Sequence, residues 1–135
     1  MKTQIDNFTH AYLHAILWST NDESTPQGGE PLDSNYDVSD FSQEAVEKAS
    51  ADCARFQAEN AESLEVANIQ ESRDTCSRAG FLFALDRNGH GTGFWDEKTH
   101  NDSDSEREAC DRLSDASKAF GEVYAYVGND GKIHF

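Results

Sequence analysis

Apolar side chains recur at every third or fourth position in three stretches of this chain, and this spacing is the strongest constraint on its fold. Such spacing gathers apolar residues on one face of an α-helix. Residues 7–20 form the first predicted helix, with Asp6 or Asn7 capping its start. The apolar residues that recur at this spacing are Phe8, Ala11, Tyr12, Ala15, Ile16 and Trp18.

The second predicted helix begins after a cap at Ser39 or Asp40 and continues to Ala67, which makes it the longest predicted element. The third begins after a cap within residues 103–105 and is stopped by Gly121. The apolar stripes of these two helices are Phe41, Ala45, Ala49, Cys53 and Phe56, continued by Asn60, Leu64 and Ala67, and then Ala109, Leu113, Ala116 and Phe120.

Four shorter stretches carry the pattern of β-strands. Alternate side chains of Arg78–Leu85 would face opposite, covered sides of a sheet, which predicts a central strand. The glycine-rich turn Arg87–Gly91 and the returning residues Thr92–Trp95 complete a predicted hairpin. Glu122–Val127 and Lys132–Phe135, joined by Gly-Asn-Asp-Gly, predict a second hairpin.

These elements together predict an α+β fold. An antiparallel sheet of about four strands, arranged as two hairpins, would pack with three helices in the order α-α-β-β-α-β-β. The length of 135 residues favours a single domain covering residues 1–135. The loop at residues 21–38 is expected to be ordered only if Leu32, Tyr36 and Val38 are buried.

The chain carries 26 acidic and 11 basic residues, a net charge of −15. Such a charge repels nucleic-acid phosphates and anionic membranes, so direct binding to either is not expected. No apolar run approaches the roughly 20 residues needed to span a bilayer. Three cysteines without CxxC spacing, and no segment resembling a secretion signal, predict a cytoplasmic protein.

The segment Asp86–Glu97 concentrates glycines, a histidine and two aromatic residues, and it admits three interpretations. It partly matches a calcium loop, with oxygen ligands at Asp86, Asn88 and Glu97, although His90 stands where a hard cation prefers oxygen. Alternatively, His90 acts as a general acid or base. The favoured interpretation is structural, with glycines allowing a tight turn whose aromatic residues pack on the core. The residues singled out in this motif loop are Arg87, Asn88, His90, Trp95 and Asp96.

No recognisable catalytic constellation accompanies His90. The sequence lacks a nucleophile elbow, a phosphate-binding glycine loop and a paired-cysteine metal motif. His10 and His14 lie four residues apart, but no third metal ligand lies near them in sequence. The sequence therefore favours a protein that is not an enzyme and that holds neither a cofactor nor a metal ion.

Three stretches resemble a family of small acidic proteins encoded by tailed bacteriophages. They are the stretch from Ala79–Phe81 through the core Arg87–Asp96, which reads RNGHGTGFWD, the upstream stretch Gly29–Tyr36, and the closing stretch Tyr126–Ile133. The resemblance implies a phage origin and a place in the host-cell cytoplasm. It implies no particular activity.

Rows of carboxylates along a helix can imitate the phosphates of DNA. The leading hypothesis is therefore an acidic phage protein that binds a host protein with a basic nucleic-acid-binding groove, and inhibits or redirects it. One alternative is a phage–host adaptor without DNA mimicry, and another is a small enzyme or metal-binding protein that uses His90. A plainer explanation is that the acidic residues only keep the protein soluble. The predicted partner-binding face consists of Glu44, Glu47, Glu59, Glu62 and Glu65 on the second helix, and Asp102, Asp104, Glu106, Glu108 and Asp111 at the start of the third.

Overall fold

The computed structural model describes residues 5–22, 30–67, 78–89, 93–94 and 104–135. Helices make up most of these residues. The α-helices are α1 (Asn7–Ser19), α2 (Gln43–Glu59), α3 (Ala61–Ala67), α4 (Arg78–Arg87) and α5 (Asp104–Ala119). Two short antiparallel pairs accompany them, β1 (Asn21–Asp22) with β2 (Glu30–Pro31), and β3 (Tyr126–Val127) with β4 (Ile133–His134).

The starts of α1 and α2 are fixed by side-chain caps. Asp6 accepts a hydrogen bond from the Thr9 N–H at 2.8 Å, so the predicted first helix is confirmed and its cap is Asp6. Ser42 caps α2 by accepting from the N–H three residues later at 3.1 Å. The predicted cap at Ser39 or Asp40 was wrong, because both residues lie in a preceding 3-10 turn.

The predicted second helix is interrupted at Asn60, which separates α2 from α3. The backbone N–H and the side-chain amide of Asn60 both donate to the Phe56 carbonyl, at 3.0 and 2.9 Å. Asparagine favours helix ends because its side chain competes in this way for backbone groups. The predicted apolar stripe is nevertheless buried at Phe41, Ala45 and Ala67 as well as at Phe56.

The largest correction concerns Arg78–Leu85, which lies in α4 and is not a central strand. Eight of the ten residues of α4 are buried. Because other elements surround this helix on nearly all sides, its apolar residues show no helical period, and a short apolar run fits a buried helix as well as a buried strand. Of the returning arm predicted at Thr92–Trp95, the structure describes Gly93 and Phe94, and neither is in a strand.

The predicted fold class is therefore wrong. Across the described residues the two strand pairs form separate sheets, and no four-stranded sheet is present. The order of elements in that part of the chain is α1, β1, β2, α2, α3, α4, α5, β3, β4. The second predicted hairpin is confirmed in a shorter form, with Gly131 at a φ of 78° in its turn. Ile133 anchors this hairpin, since its side chain is buried and its carbonyl accepts from the Ser42 N–H at 2.8 Å.

The loop that follows α1 is fastened to the core at the positions that the sequence indicated. Leu32 is buried, and Tyr36 and Val38 pack half-buried against the core. Residues 23–29 of the same loop lie outside the described residues.

Aromatic rings occupy the middle of the core. Phe56 of α2 stacks on Phe83 of α4 with ring centroids 4.1 Å apart, and it also stacks on Phe94 at 5.8 Å. Tyr12 of α1 lies 5.2 Å from Phe83, and Phe120 meets Phe83 edge-on at 5.1 Å. Each ring removes a large apolar area from water, so this cluster joins three helices and the segment at residues 93–94.

Among the helices in the described ranges, none combines the length and the apolar character that crossing a membrane would require. Location in a host-cell cytoplasm stays a prediction.

Gly80 allows α1 and α4 to approach closely, and we expect Gly80→Ala to destabilise the protein. A Cβ atom at this position would lie 2.1 Å from the Phe8 carbonyl oxygen, so the two helices would have to separate. We expect the free energy of unfolding, measured by urea denaturation, to fall by about 1–3 kcal/mol.

Ala58→Gly, at an exposed position of α2, is the matched control for helix propensity and should cost about 1 kcal/mol. Propensity by itself would make Gly80→Ala stabilising by a similar amount. A stabilised Gly80→Ala protein would therefore contradict the importance of this close approach.

Candidate functional site

Arg87 lies at the end of α4 and is buried, with an exposed fraction of 4%. One terminal nitrogen donates to the Tyr12 hydroxyl at 2.9 Å and to the Asp52 carboxylate at 3.0 Å. Its Nε donates to the Gly121 carbonyl at 2.8 Å, and the other terminal nitrogen donates to the Phe120 carbonyl at 3.1 Å. One guanidinium thus connects α1, α2, α4 and the chain that follows α5.

The surroundings of Arg87 explain why a buried cation is tolerated there. Asp52 supplies an opposite charge, and the two carbonyls lie just after α5, at the negative end of its dipole. The guanidinium carbon also lies 5.6 Å and 5.4 Å from the ring centres of Phe83 and Phe120. Burial raises the pKa of Tyr12, so this phenol remains protonated and accepts the hydrogen bond from Arg87.

The neighbouring Asp86 is still more buried, with an exposed fraction of 1%. Its Oδ2 accepts from the Phe94 N–H at 3.0 Å and from the Ser114 hydroxyl at 2.5 Å, while Oδ1 has no hydrogen-bond partner among the described residues. Burial raises the pKa of Asp86, against the lowering effect of those two hydrogen bonds. A Cβ atom at Gly93 would lie 2.4 Å from the Asp86 carboxyl carbon, so glycine is needed for this contact.

The described half of the motif is therefore structural. Arg87 lies in a helix and not in a loop as predicted, and Asn88 begins the turn that follows it. The Asn88 side-chain oxygen accepts from the Val123 N–H at 2.8 Å, and Gly89 adopts a φ of 61°. Two of the three residues proposed as oxygen ligands for calcium, Asp86 and Asn88, thus take part in internal hydrogen bonds, and the third, Glu97, lies outside the described residues.

The remaining motif residues, His90, Trp95 and Asp96, lie outside the described residues, so their proposed roles stay predictions. Among the residues that are described, no three or more His, Cys, Asp or Glu side chains are grouped to hold a metal ion. The two cysteines in that part, Cys53 and Cys110, are both buried, and burial raises the pKa of the Cys53 thiol to about 12.

The acidic residues predicted on the second helix do not form an uninterrupted row. Glu44, Glu47 and Glu59 are exposed, but Lys48 and Arg55 are exposed on the same helix between them. Arg55 forms an ion pair with Glu59 at 3.1 Å. The carboxylates along α2 therefore alternate with cations.

The acidic residues of α5 form a cleaner row. Asp104, Glu108, Asp111 and Asp115 are exposed, and their spacing of four, three and four places them on one face, opposite the buried Leu113. We call these four residues the α5 stripe. Glu106 is half-buried and lies off this face, and Asp102 is outside the described residues.

Two further predicted residues, Glu62 and Glu65, are exposed on α3. This helix packs beside α5, where Arg112 donates to the Ser63 hydroxyl at 3.1 Å. The α5 stripe also has basic neighbours, since Arg107 lies 3.9 Å from Asp104 and Lys118 is in the last turn.

Sequence reasoning did not identify the partners of the buried pair Asp86 and Arg87. Tyr12, Asp52 and Ser114 come from three other helices, and no local pattern marks them. The one available signal was a charged pair placed directly after the apolar run of α4.

Comparisons of this chain with protein-family models, with curated proteins and with solved structures found no match. The fold and its surface define the molecule as a mostly helical acidic protein. The resemblance to small phage proteins stays a prediction.

We expect Arg87→Lys to lower the free energy of unfolding by about 2–4 kcal/mol, as measured by urea denaturation. A lysine ammonium is a compact charge and cannot reach the hydroxyl, the carboxylate and the two carbonyls at once. Arg107→Lys is the matched control, because its pair with Asp104 is exposed, and it should cost less than about 0.5 kcal/mol. Equal costs for the two variants would contradict a central role for Arg87.

Asp86 should also give the protein a measurable pH dependence. Because its folded pKa is raised, the stability associated with its neutral form is present below the unfolded pKa and is lost as the pH rises through the folded pKa. Asp86→Asn has no such proton to lose. The unfolding free energy of this variant, minus that of the natural protein, should therefore increase between about pH 4 and pH 7. A constant difference across that range would show that Asp86 is not perturbed.

Proposed function

We propose that this protein uses the α5 stripe to bind a protein with a basic nucleic-acid-binding groove, and that it thereby inhibits or redirects that protein. The observation that carries the proposal is the row Asp104, Glu108, Asp111 and Asp115 on the exposed face of α5. Its side chains project from a helix whose opposite face is buried, so the row is held in place by the core.

The charge density of the stripe is within a factor of two of one DNA strand. Asp104 and Asp115 are about 16 Å apart along the helix axis, at 1.5 Å per residue. This corresponds to one carboxylate in about 5.5 Å, whereas one strand of DNA carries one phosphate in about 3.4 Å. A groove built for phosphates would therefore meet a similar, sparser row of anions.

The electrostatics of the rest of the chain support the same class of partner. The net charge of −15 disfavours a nucleic acid or another acidic protein and attracts a basic surface. Such attraction is long-ranged at low salt and weakens as salt shortens the Debye length to about 10 Å at 0.1 M. The resemblance to phage proteins would place the interaction in a bacterial host during infection.

A second candidate function, an adaptor without DNA mimicry, is favoured by the exposed aromatic residues. Trp18 is 47% exposed, Tyr124 is 70% exposed and Tyr126 is 55% exposed. Tryptophan and tyrosine are enriched among the residues that dominate protein interfaces. Binding through them would depend little on salt.

The test compares two variants that each lose four carboxylates. The stripe variant carries Asp104→Asn, Glu108→Gln, Asp111→Asn and Asp115→Asn. The matched control carries Glu44→Gln, Glu47→Gln, Glu59→Gln and Glu62→Gln, which lie on α2 and α3. We expect the natural protein, immobilised and exposed to bacterial lysate, to retain a nucleic-acid-binding protein identified by mass spectrometry. Duplex DNA should displace it.

For that retained partner, we expect the stripe variant to lose about tenfold or more in affinity, and the control to stay within about threefold. The two variants have equal net charge, so a loss of equal size would show that general charge and not the stripe drives binding. Capture of a partner without a basic groove would reject the proposal and favour the adaptor. Binding that persists in 0.5 M salt and in the stripe variant would do the same.

A further inference from the structure

The solvent-facing side of α1 is narrow, and two of its four exposed residues are histidines. From Phe8 to Leu17 every residue of this helix is buried except His10 and His14. The two histidines are four residues apart, so they lie one turn apart on the same face. On a chain with a net charge of −15, this pair forms a patch without carboxylates on its own helix.

Residues four apart on a helix have Cβ atoms about 5–6 Å from each other. Two imidazoles at that separation can approach one metal ion, each through a ring nitrogen at about 2.0–2.1 Å. Metal-binding histidines commonly hydrogen-bond through their second ring nitrogen, so an existing contact of either ring does not prevent binding.

The scaffold beneath the two histidines is fixed from several directions. Asp6 caps the start of α1 and also accepts from the Gln57 side chain of α2 at 3.2 Å. Gly80 brings α4 against the Phe8 backbone, and Tyr12 accepts from the buried Arg87. A helix held in this way keeps its spacing before a ligand arrives, which reduces the entropy lost on binding.

We propose that His10 and His14 form a bidentate site for a divalent transition-metal ion of the class Cu²⁺, Ni²⁺ or Zn²⁺, with water completing the coordination. Imidazole nitrogen suits these ions, whereas Ca²⁺ and Mg²⁺ prefer oxygen ligands. The negative field of the protein raises the local concentration of cations. Two protein ligands leave the site open, and this distinguishes it from a closed structural zinc site. The site is independent of the α5 stripe.

The test is titration with CuCl₂, NiCl₂ and ZnCl₂, followed by calorimetry and by NMR of the histidine ring signals. We expect one ion per chain at this site, with Cu²⁺ bound most tightly, as imidazole sites generally show. Paramagnetic Cu²⁺ should broaden the ring signals of His10 and His14 first. At a metal concentration ten times Kd, the melting temperature should rise by about 3–6 °C.

Variants separate this site from metal bound elsewhere on an acidic surface. His10→Ala and His14→Ala should each abolish the high-affinity metal binding. His134→Ala, which lies outside the helices, should retain it. The double variant His14→Ala with Trp18→His retains the number of histidines but places the two on α1 about two turns apart. It should therefore also lose the high-affinity metal binding. All these positions are at least partly exposed, and circular dichroism should report an unchanged fold.

Binding of unchanged affinity in His10→Ala or His14→Ala would overturn the assignment. So would an affinity for Ca²⁺ or Mg²⁺ equal to that for Ni²⁺, because carboxylates and not imidazoles would then be the ligands. Loss of metal binding leaves the proposed function untouched, since the α5 stripe is not altered in any of these variants.

Discussion

The arrangement of the helices depends on the hydrogen bonds and the ion pair made by the buried guanidinium of Arg87. This one side chain contacts Tyr12 of α1, Asp52 of α2 and the carbonyls that follow α5. Removing one partner of such a buried group leaves an unsatisfied charge or carbonyl in the core, which typically costs several kcal/mol. The position of α5, and with it the outward direction of its acidic stripe, therefore depends on a residue that no partner can touch.

Asp86 is also buried, but its surroundings compensate less for the loss of hydration than those of Arg87 do. Its side chain is even more deeply buried than that of Arg87, but its hydrogen bonds come from two neutral donors, the Phe94 N–H and the Ser114 hydroxyl, and Lys118 acts on it only through its charge. Those hydrogen bonds do not compensate fully for lost hydration, and the raised pKa is the result. The contact nevertheless fastens residues 93–94 to α4 and α5. The densest sequence motif thus explains packing in its described half, while both proposed binding surfaces lie on other helices.

The sequence predicted the elements that carry local signals better than the contacts between distant parts of the chain. α1, α5 and the C-terminal hairpin were predicted because caps, apolar spacing and turn glycines are local signals. α4 was mistaken for a strand because a helix buried on nearly all sides loses its period. The alternation of cations and acids on α2 was readable from Lys48 and Arg55, whereas the partners of Arg87 were not, because they come from distant parts of the chain.

The positions of the acidic residues along α5 distinguish a role in helix stability from a role in binding. Carboxylates in the first turn of a helix favour its dipole, so Asp104 has a reason to be acidic without any partner. Asp111 and Asp115 lie beyond the first turn of α5, where the helix dipole no longer favours anions. Asp111 also follows Glu108 by three residues, and Asp115 follows Asp111 by four; like charges at such spacing cost about 0.2–0.5 kcal/mol per pair. Asp111 and Asp115 are therefore the two members of the α5 stripe whose acidity the helix dipole does not explain.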